Sequence, residues 1–155
     1  MALPIEKKII KQKNTMSINE VQQEIIEEFS IYDDWLDRYQ YIVDLGNSLS
    51  DFPPEEETDM NLIEGCQSKV WIIASYIDGK VYFKAKSDAI IVKGIVALLI
   101  RVLSGRTPDE ILGSELFFID KIGLTEHLSP TRSNGLVAMV KRMRMFALAF
   151  KTKFE

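Results

Sequence analysis

The period of the apolar positions changes several times along this chain, and each change marks an element. Val21, Ile25 and Phe29 recur every fourth residue, the spacing of an amphipathic helix. Ser17-Ile18-Asn19-Glu20 precedes them as a capping box, with serine at the N-cap and glutamate three positions on. A second helix starts at Asp33 or Asp34. Its apolar face is Trp35, Leu36, Tyr39, Ile42 and Val43, and Gly46 is placed to end it in the left-handed conformation. The stretch from Ser48 to Asp59 carries Pro53-Pro54 and Glu55-Glu56-Glu57, which favour a solvated loop.

The period then drops to two. Val70 to Ile77 is apolar at nearly every position, and Lys80 to Lys86 sets Val81, Phe83 and Ala85 against Lys80, Tyr82, Lys84 and Lys86. Asp78-Gly79 between them is a tight-turn pair, so the region reads as a hairpin. Its first strand is expected to lie centrally, with the outer face covered by a helix or by the preceding loop, and its second strand to wet one face. Ser87 or Asp88 is expected to cap a long helix reaching Ser104, apolar almost all round and therefore the most buried. Thr107-Pro108-Asp109-Glu110 starts a further helix, and Ser114 opens a short one ending near Gly123. Ser129-Pro130 begins the last, with a stripe of Leu136, Met139, Val140, Met143, Phe146 and Phe150. The sum is an α+β fold: a small antiparallel β-sheet packed against a helical layer. Residues 1–16 read as an N-terminal extension and residues 17–155 as a single domain.

The length of 155 residues fits one domain with a substantial core. No apolar run reaches the ~20 residues that span a bilayer; the longest, Ala89 to Leu103, is broken by Lys93 and Arg101. Met1 to Met16 has lysines but no apolar core of the kind export signals carry, so a cytoplasmic location is expected. Charge is lopsided. From Ser17 to Glu64 there are fourteen acidic residues and one basic, Arg38; from Thr131 to Glu155 there are six basic and one acidic. Either end could steer a charged partner, and either could be a solvated face. The stripe Lys141, Arg142, Arg144, Lys151 and Lys153 lacks interleaved aromatic platforms, so neither nucleic acid nor membrane is the expected partner.

Candidate chemistry narrows to one thiol. One Cys and one His cannot build a structural zinc site, and neither a phosphate-binding glycine loop nor a calcium loop occurs, so no metal is expected. Cys66 lies in Asn61-Leu62-Ile63-Glu64-Gly65-Cys66-Gln67-Ser68-Lys69-Val70-Trp71, on a loop feeding the first strand. Gly65 before it leaves one approach to the thiol uncrowded. Cys66 reads either as a small buried hydrophobe or as a reactive group held by a scaffold. Paired with His127 it would make a nucleophile and base of the cysteine-hydrolase kind; a histidine just before a helix start also serves simply to cap or pack.

Gly65-Cys66-Gln67-Ser68-Lys69-Val70-Trp71 resembles the signature of the SufE family, sulfur acceptors for cysteine desulfurases. Two further blocks match in order: Ser87-Asp88-Ala89-Ile90-Ile91-Val92-Lys93-Gly94, and His127-Leu128-Ser129-Pro130-Thr131-Arg132-Ser133-Asn134-Gly135-Leu136. The resemblance implies a SufE/IscU-like fold and a carrier that takes persulfide sulfur on Cys66. The donor would be a cysteine desulfurase, SufS-like or CsdA-like, which the carrier stimulates; the acceptor would be a SufBCD-like scaffold for iron–sulfur clusters. It implies no cofactor on this chain, the pyridoxal phosphate belonging to the desulfurase, and no independent turnover on cysteine. It also suggests roles for Arg132, near an anionic sulfur or on the desulfurase, and for Asp88, capping the long helix or holding the thiol loop closed. Gln67 sits beside the thiol, either as a working amide or as a turn residue, and Gly65 and His127 complete the supporting or partner-binding set that the resemblance implies. Apolar walls around the thiol would shield an adduct and raise the thiol pKa. The competing functions are a stand-alone cysteine hydrolase and a non-catalytic interaction module. The same match fits SufE and its CsdE-type paralogue alike. The N-terminal extension and the basic C-terminal tail depart from the family pattern. Exposed apolar surface near the thiol makes a monomer or weak homodimer the expected state.

Overall fold

The structure, a computed structural model, describes residues 16–155; of the proposed N-terminal extension, residues 1–15 lie outside it. Helix α1 (Ile18–Ser30) and helix α2 (Trp35–Gly46) are followed by 3₁₀ turns at Pro54–Glu56 and Asp59–Asn61. The hairpin of β1 (Val70–Ile77) and β2 (Lys80–Ser87) comes next, then α3 (Ile90–Leu103), α4 (Pro108–Gly113), α5 (Phe118–Lys121), α6 (Leu124–His127) and α7 (Pro130–Phe154). The α+β class is as the periodicities indicate. Helix α3 is the hub, touching α1, α2, β2 and α7. Residues Ile95 to Leu99 and Val102-Leu103 are buried in turn around its circumference. Burial on every side suits a helix whose polar positions are few.

The local signals translate directly at several termini. Ser17 Oγ accepts from the Glu20 N–H at 3.1 Å, and Glu20 accepts from the Ser17 N–H at 3.2 Å. The same reciprocal pair joins Thr107 and Glu110 at α4. Asp34 caps α2 through the Leu36 N–H, and Ser129 caps α7 through the Arg132 N–H. The hairpin pairs Val70 with Ser87 through to Ile77 with Lys80. Asp78 at φ 52° and Gly79 at φ 80° make the turn whose twist matches that of the strands.

Four expectations need correcting. Gly46 does not end α2 in the left-handed conformation; it is the last residue of the helix, and Asn47 caps it with right-handed geometry. Its role is proximity: a Cβ there would lie 2.8 Å from Lys93 Cβ, and one on Gly94 would lie 1.9 Å from the Ile42 carbonyl oxygen. Two glycines thus let α2 and α3 cross almost backbone to backbone. Leu36 is 75% exposed and does not share the buried face of α2. Strand β1 is flanked on both sides only at its start, where the cysteine loop pairs with Val70 and Trp71; among the described residues the sheet has two strands, and further along β1 Ser75 and Ile77 face solvent. Ser114 closes α4 instead of opening a helix, and the segment beyond it splits into α5 and α6 around Gly123 at φ 85°.

One buried contact has no counterpart in the periodicity. Gln22, fully buried on α1, donates to the Glu115 carbonyl at 3.0 Å and accepts from the Phe118 N–H at 3.1 Å. Both ends of its amide are satisfied, which is the condition for burying it. The contact fastens α1 to the start of α5.

Candidate functional site

The loop bearing Cys66 is closed at its base by strand-like pairing. The Ile63 N–H donates to the Val70 carbonyl at 2.8 Å, and Leu62 bridges Trp71. This pairing adds the loop's entry to the free edge of β1. Gly65, at φ 91°, turns the chain through a conformation that L side chains rarely adopt. That is a stronger reason for glycine here than the uncrowded approach read from the sequence. Across the base, Lys69 is fixed by two neighbours: its N–H donates to Asp88 Oδ1 at 3.1 Å, and its carbonyl accepts from Ser87 Oγ at 2.9 Å and from the Asp88 N–H at 3.3 Å.

Asp88 and Ser87 therefore do not cap α3 as expected. The N-cap is Ala89, which has no side-chain cap, while Ser87 Oγ accepts from the Ala89 N–H at 3.2 Å. The Asp88 carboxylate is spent on the thiol loop, so of its two expected roles the geometry contains the contact to the loop.

The thiol itself is half-buried against α7, with Sγ 3.7 Å from the Gly135 carbonyl oxygen. A thiol is a weak donor, so this contact seats the sulfur more than it binds it. Gly135 makes the seat: a Cβ there would stand 3.2 Å from Sγ and 3.7 Å from Cys66 Cα. Gly135 lies within the block that resembles the family, and no role for it follows from the sequence alone. The available signal was its position inside a long helix, where glycine costs about 1 kcal/mol relative to alanine. Burial pushes the Cys66 thiol pKa up. The resting sulfur is accordingly a protonated thiol whose thiolate is disfavoured.

The other predicted site residues divide. Arg132 is exposed one turn before Gly135 on α7, and its guanidinium makes no hydrogen bond or ion pair among the described residues. It is thus carried on the helix face that seats the thiol. Gln67 is exposed beside Cys66 with no side-chain hydrogen bond among the described residues. His127 belongs to another cluster: its ring stacks on Trp35 at a centroid distance of 3.8 Å, and Nδ1 lies 2.9 Å from the Gly123 carbonyl oxygen. No hydrogen bond joins it to Cys66, so the structure does not assemble the nucleophile–base couple weighed above.

Among the described residues no group of three or more His, Cys, Asp or Glu side chains could hold a metal ion. None of the helices among them is long and apolar enough to cross a membrane. The basic stripe of α7 is largely engaged in internal contacts. Arg144 donates to the Ser114 carbonyl at 2.7 Å, Lys151 pairs with Asp109 at 2.6 Å, and Lys153 lies 5.2 Å from the Phe154 ring centre.

Comparison with known proteins extends this picture over most of the chain. The family model described as SufE, Fe-S metabolism associated domain, matches residues 23–147. An uncharacterised SufE-like protein of Rhizobium meliloti (strain 1021) is 39% identical over 126 residues, covering 78% of this chain and 90% of that protein. Another from Rhizobium etli is 42% identical over 127 residues, covering 78% and 85%. The solution structure of a hypothetical protein from Thermus thermophilus matches with a TM-score of 0.71 at 25% identity, covering 86% of this chain and 97% of that one.

Proposed function

This chain belongs to the SufE family of Fe–S metabolism domains, and from that premise we propose that Cys66 accepts sulfane sulfur from the cysteine persulfide of a desulfurase. The observation that carries the reading is the setting of the thiol. It is the chain's one cysteine, on a loop fixed at both ends, seated shallowly against a helical glycine. Transfer between thiols needs a thiolate and access, and neither a metal nor a second catalytic side chain.

The step balances without an external oxidant or reductant. Cys66 loses its proton, and its thiolate attacks the terminal sulfur of the donor persulfide. A new S–S bond forms on Cys66 as the donor's S–S bond breaks. The donor cysteine leaves as a thiolate and is free to take up a proton. The pyridoxal phosphate that generates the persulfide belongs to the desulfurase, SufS-like or CsdA-like, and this chain has no turnover of its own on cysteine. Passing the sulfur to a SufBCD-like cluster scaffold completes the role.

The shielded seat supports storage, and the raised thiol pKa supports a slow thiol until a partner withdraws the loop from α7. Arg132, exposed beside the seat and without a side-chain partner among the described residues, is suited to meet the anionic sulfur or the desulfurase once the loop moves. Asp88 would hold the resting position, and Gln67 would present its amide next to the sulfur. His127 has no part in the transfer. No observation favours hydrolysis, since the histidine that reading needs is stacked on Trp35.

The test is the intact mass of the protein after incubation with a cysteine desulfurase and L-cysteine. The expected result is a gain of one sulfur, removed by reductant and absent from Cys66→Ser. No gain with either class of desulfurase overturns the proposal. Stimulation that survives Cys66→Ser would make the protein an interaction module instead.

A further inference from the structure

The face of α7 that seats the thiol continues beyond Gly135, and it follows the incoming chain in register. Cys66 lies on Gly135. Ala138, one turn on, is the nearest side chain to Gly65, 3.7 Å from where a Cβ would stand. Another turn on, the Arg142 guanidinium donates from Nη1 to the Met60 carbonyl at 3.2 Å and from Nη2 to the Leu62 carbonyl at 3.4 Å. Positions 135, 138 and 142 fall on one helical face, and the loop's entry runs antiparallel along it. Two small residues admit the chain closely, and a forked cation grips it where it arrives.

We infer that Arg142 is a positioning residue for the thiol loop: it straps the entry limb to the same helix that carries the thiol's seat. This rests on the proposed function only in that Cys66 is the group being positioned. Three facts support the assignment. Both contacts go to main-chain oxygens, so they constrain the backbone path of the loop whatever its side chains do. They sit just outside the Ile63–Val70 hydrogen bond, so the entry limb is held to α7 and to β1 together. The guanidinium also lies 6.0 Å from the Phe146 ring centre, one turn further on, which limits its freedom to swing into solvent.

The exit limb is held separately, by Asp88 and Ser87 on Lys69. Between the anchors, Glu64 to Ser68 contributes no backbone hydrogen bond to the rest of the fold among the described residues. Releasing Arg142 should therefore free the entry half of the loop while leaving the exit half anchored. Lysine could not take its place fully, because a single ammonium has no fork to span the Met60 and Leu62 carbonyls together.

The experiment compares the wild type with Arg142→Ala, Arg142→Gln and Arg142→Lys, using the full chain and no desulfurase. Iodoacetamide alkylation of Cys66 is measured across pH, well below the melting transition, with amide hydrogen exchange of Ile63 in parallel. The expected result is about a three- to tenfold faster pH-independent alkylation in the alanine variant, the size of losing about one ordinary net hydrogen bond, since the two contacts are long and partly exposed. Ile63 should lose protection while the amides of β2 and α3 keep theirs, and lysine should restore the wild-type rate only in part. The glutamine variant keeps a polar donor on a shorter stem and the lysine variant keeps reach and charge, so a misfolded alanine variant would not remove the test. Unchanged alkylation together with unchanged Ile63 protection overturns the inference, even if thermal stability falls, since a merely structural arginine would produce that pattern. The alkylation arm involves no sulfur transfer, so a protein that never gains sulfur leaves this result standing.

Discussion

Gly135→Ala sets two effects against each other at one atom. In the interior of a helix, alanine is favoured over glycine by about 0.8–1 kcal/mol, so α7 itself should gain. The new Cβ, however, would stand 3.2 Å from Cys66 Sγ, a few tenths of an ångström inside ordinary contact. Overpacking of this kind costs roughly 1–3 kcal/mol when the neighbours cannot move. Here one neighbour can. Glu64 to Ser68 is held mainly at its ends, and the contact from Sγ to the Gly135 carbonyl is weak. The substitution should therefore leave global stability level or slightly raised, while disfavouring the seated thiol by about 1 kcal/mol, or roughly fivefold in population. Urea denaturation reports the first quantity, and iodoacetamide alkylation of Cys66 as a function of pH reports the second. Alkylation should accelerate about fivefold, and the thiol should titrate lower as it leaves its buried seat. The reasoning is refuted if stability rises by the full helix preference while alkylation rate and thiol titration stay at wild-type values. Gly135 would then be incidental to the sulfur.

Asp88→Ala removes the acceptor of the Lys69 N–H and should speed Cys66 alkylation at a cost of about 1–2 kcal/mol in stability; an unaltered rate would show that the exit limb is fixed without it. Gly94→Ala places a Cβ 1.9 Å from the Ile42 carbonyl oxygen, against main chain that has no rotamer to yield, and should cost about 3 kcal/mol or more in urea denaturation; a loss under about 1 kcal/mol would mean that α2 can withdraw from α3. The raised Cys66 pKa carries a sign for stability. The folded protein holds the thiol proton more tightly than the unfolded chain, so this contribution is complete below the ordinary thiol value of about 8.5 and is lost as pH rises through the higher folded value. The stability of the wild type relative to Cys66→Ser should thus fall above about pH 8.5, and parallel curves for the two proteins would contradict a buried thiol.

Much of the fold is legible in the chain because it depends on neighbours in sequence. The capping boxes at Ser17 and Thr107, the turn at Asp78-Gly79 and the alternation of Val81, Phe83 and Ala85 each act over a few residues. The signals that misled are those whose meaning depends on a distant element. Gly46 carries the mark of a helix end, yet its hydrogen is required by Lys93 and Gly94 on another helix. Asp88 stands where a cap belongs, but its carboxylate faces the Lys69 N–H, nineteen positions earlier in the chain. Leu36 continues an apolar pattern onto a face that nothing among the described residues covers.

The site divides along the same line. The sequence by itself determined that the chemistry centres on one thiol, on a glycine-led loop before a strand, in a chain whose blocks match a single family. Tertiary structure alone decided what surrounds that thiol. It set His127 on Trp35 and away from the sulfur, brought Gly135 beneath Sγ, and turned Arg142 from a member of a basic stripe into a clamp on two carbonyls. The physical reason is range. Propensity, capping and periodicity are settled by hydrogen bonds and side-chain packing within a few residues. The burial that raises a thiol pKa, and the closeness that only a glycine permits, are properties of two surfaces that the sequence places far apart and the fold brings together.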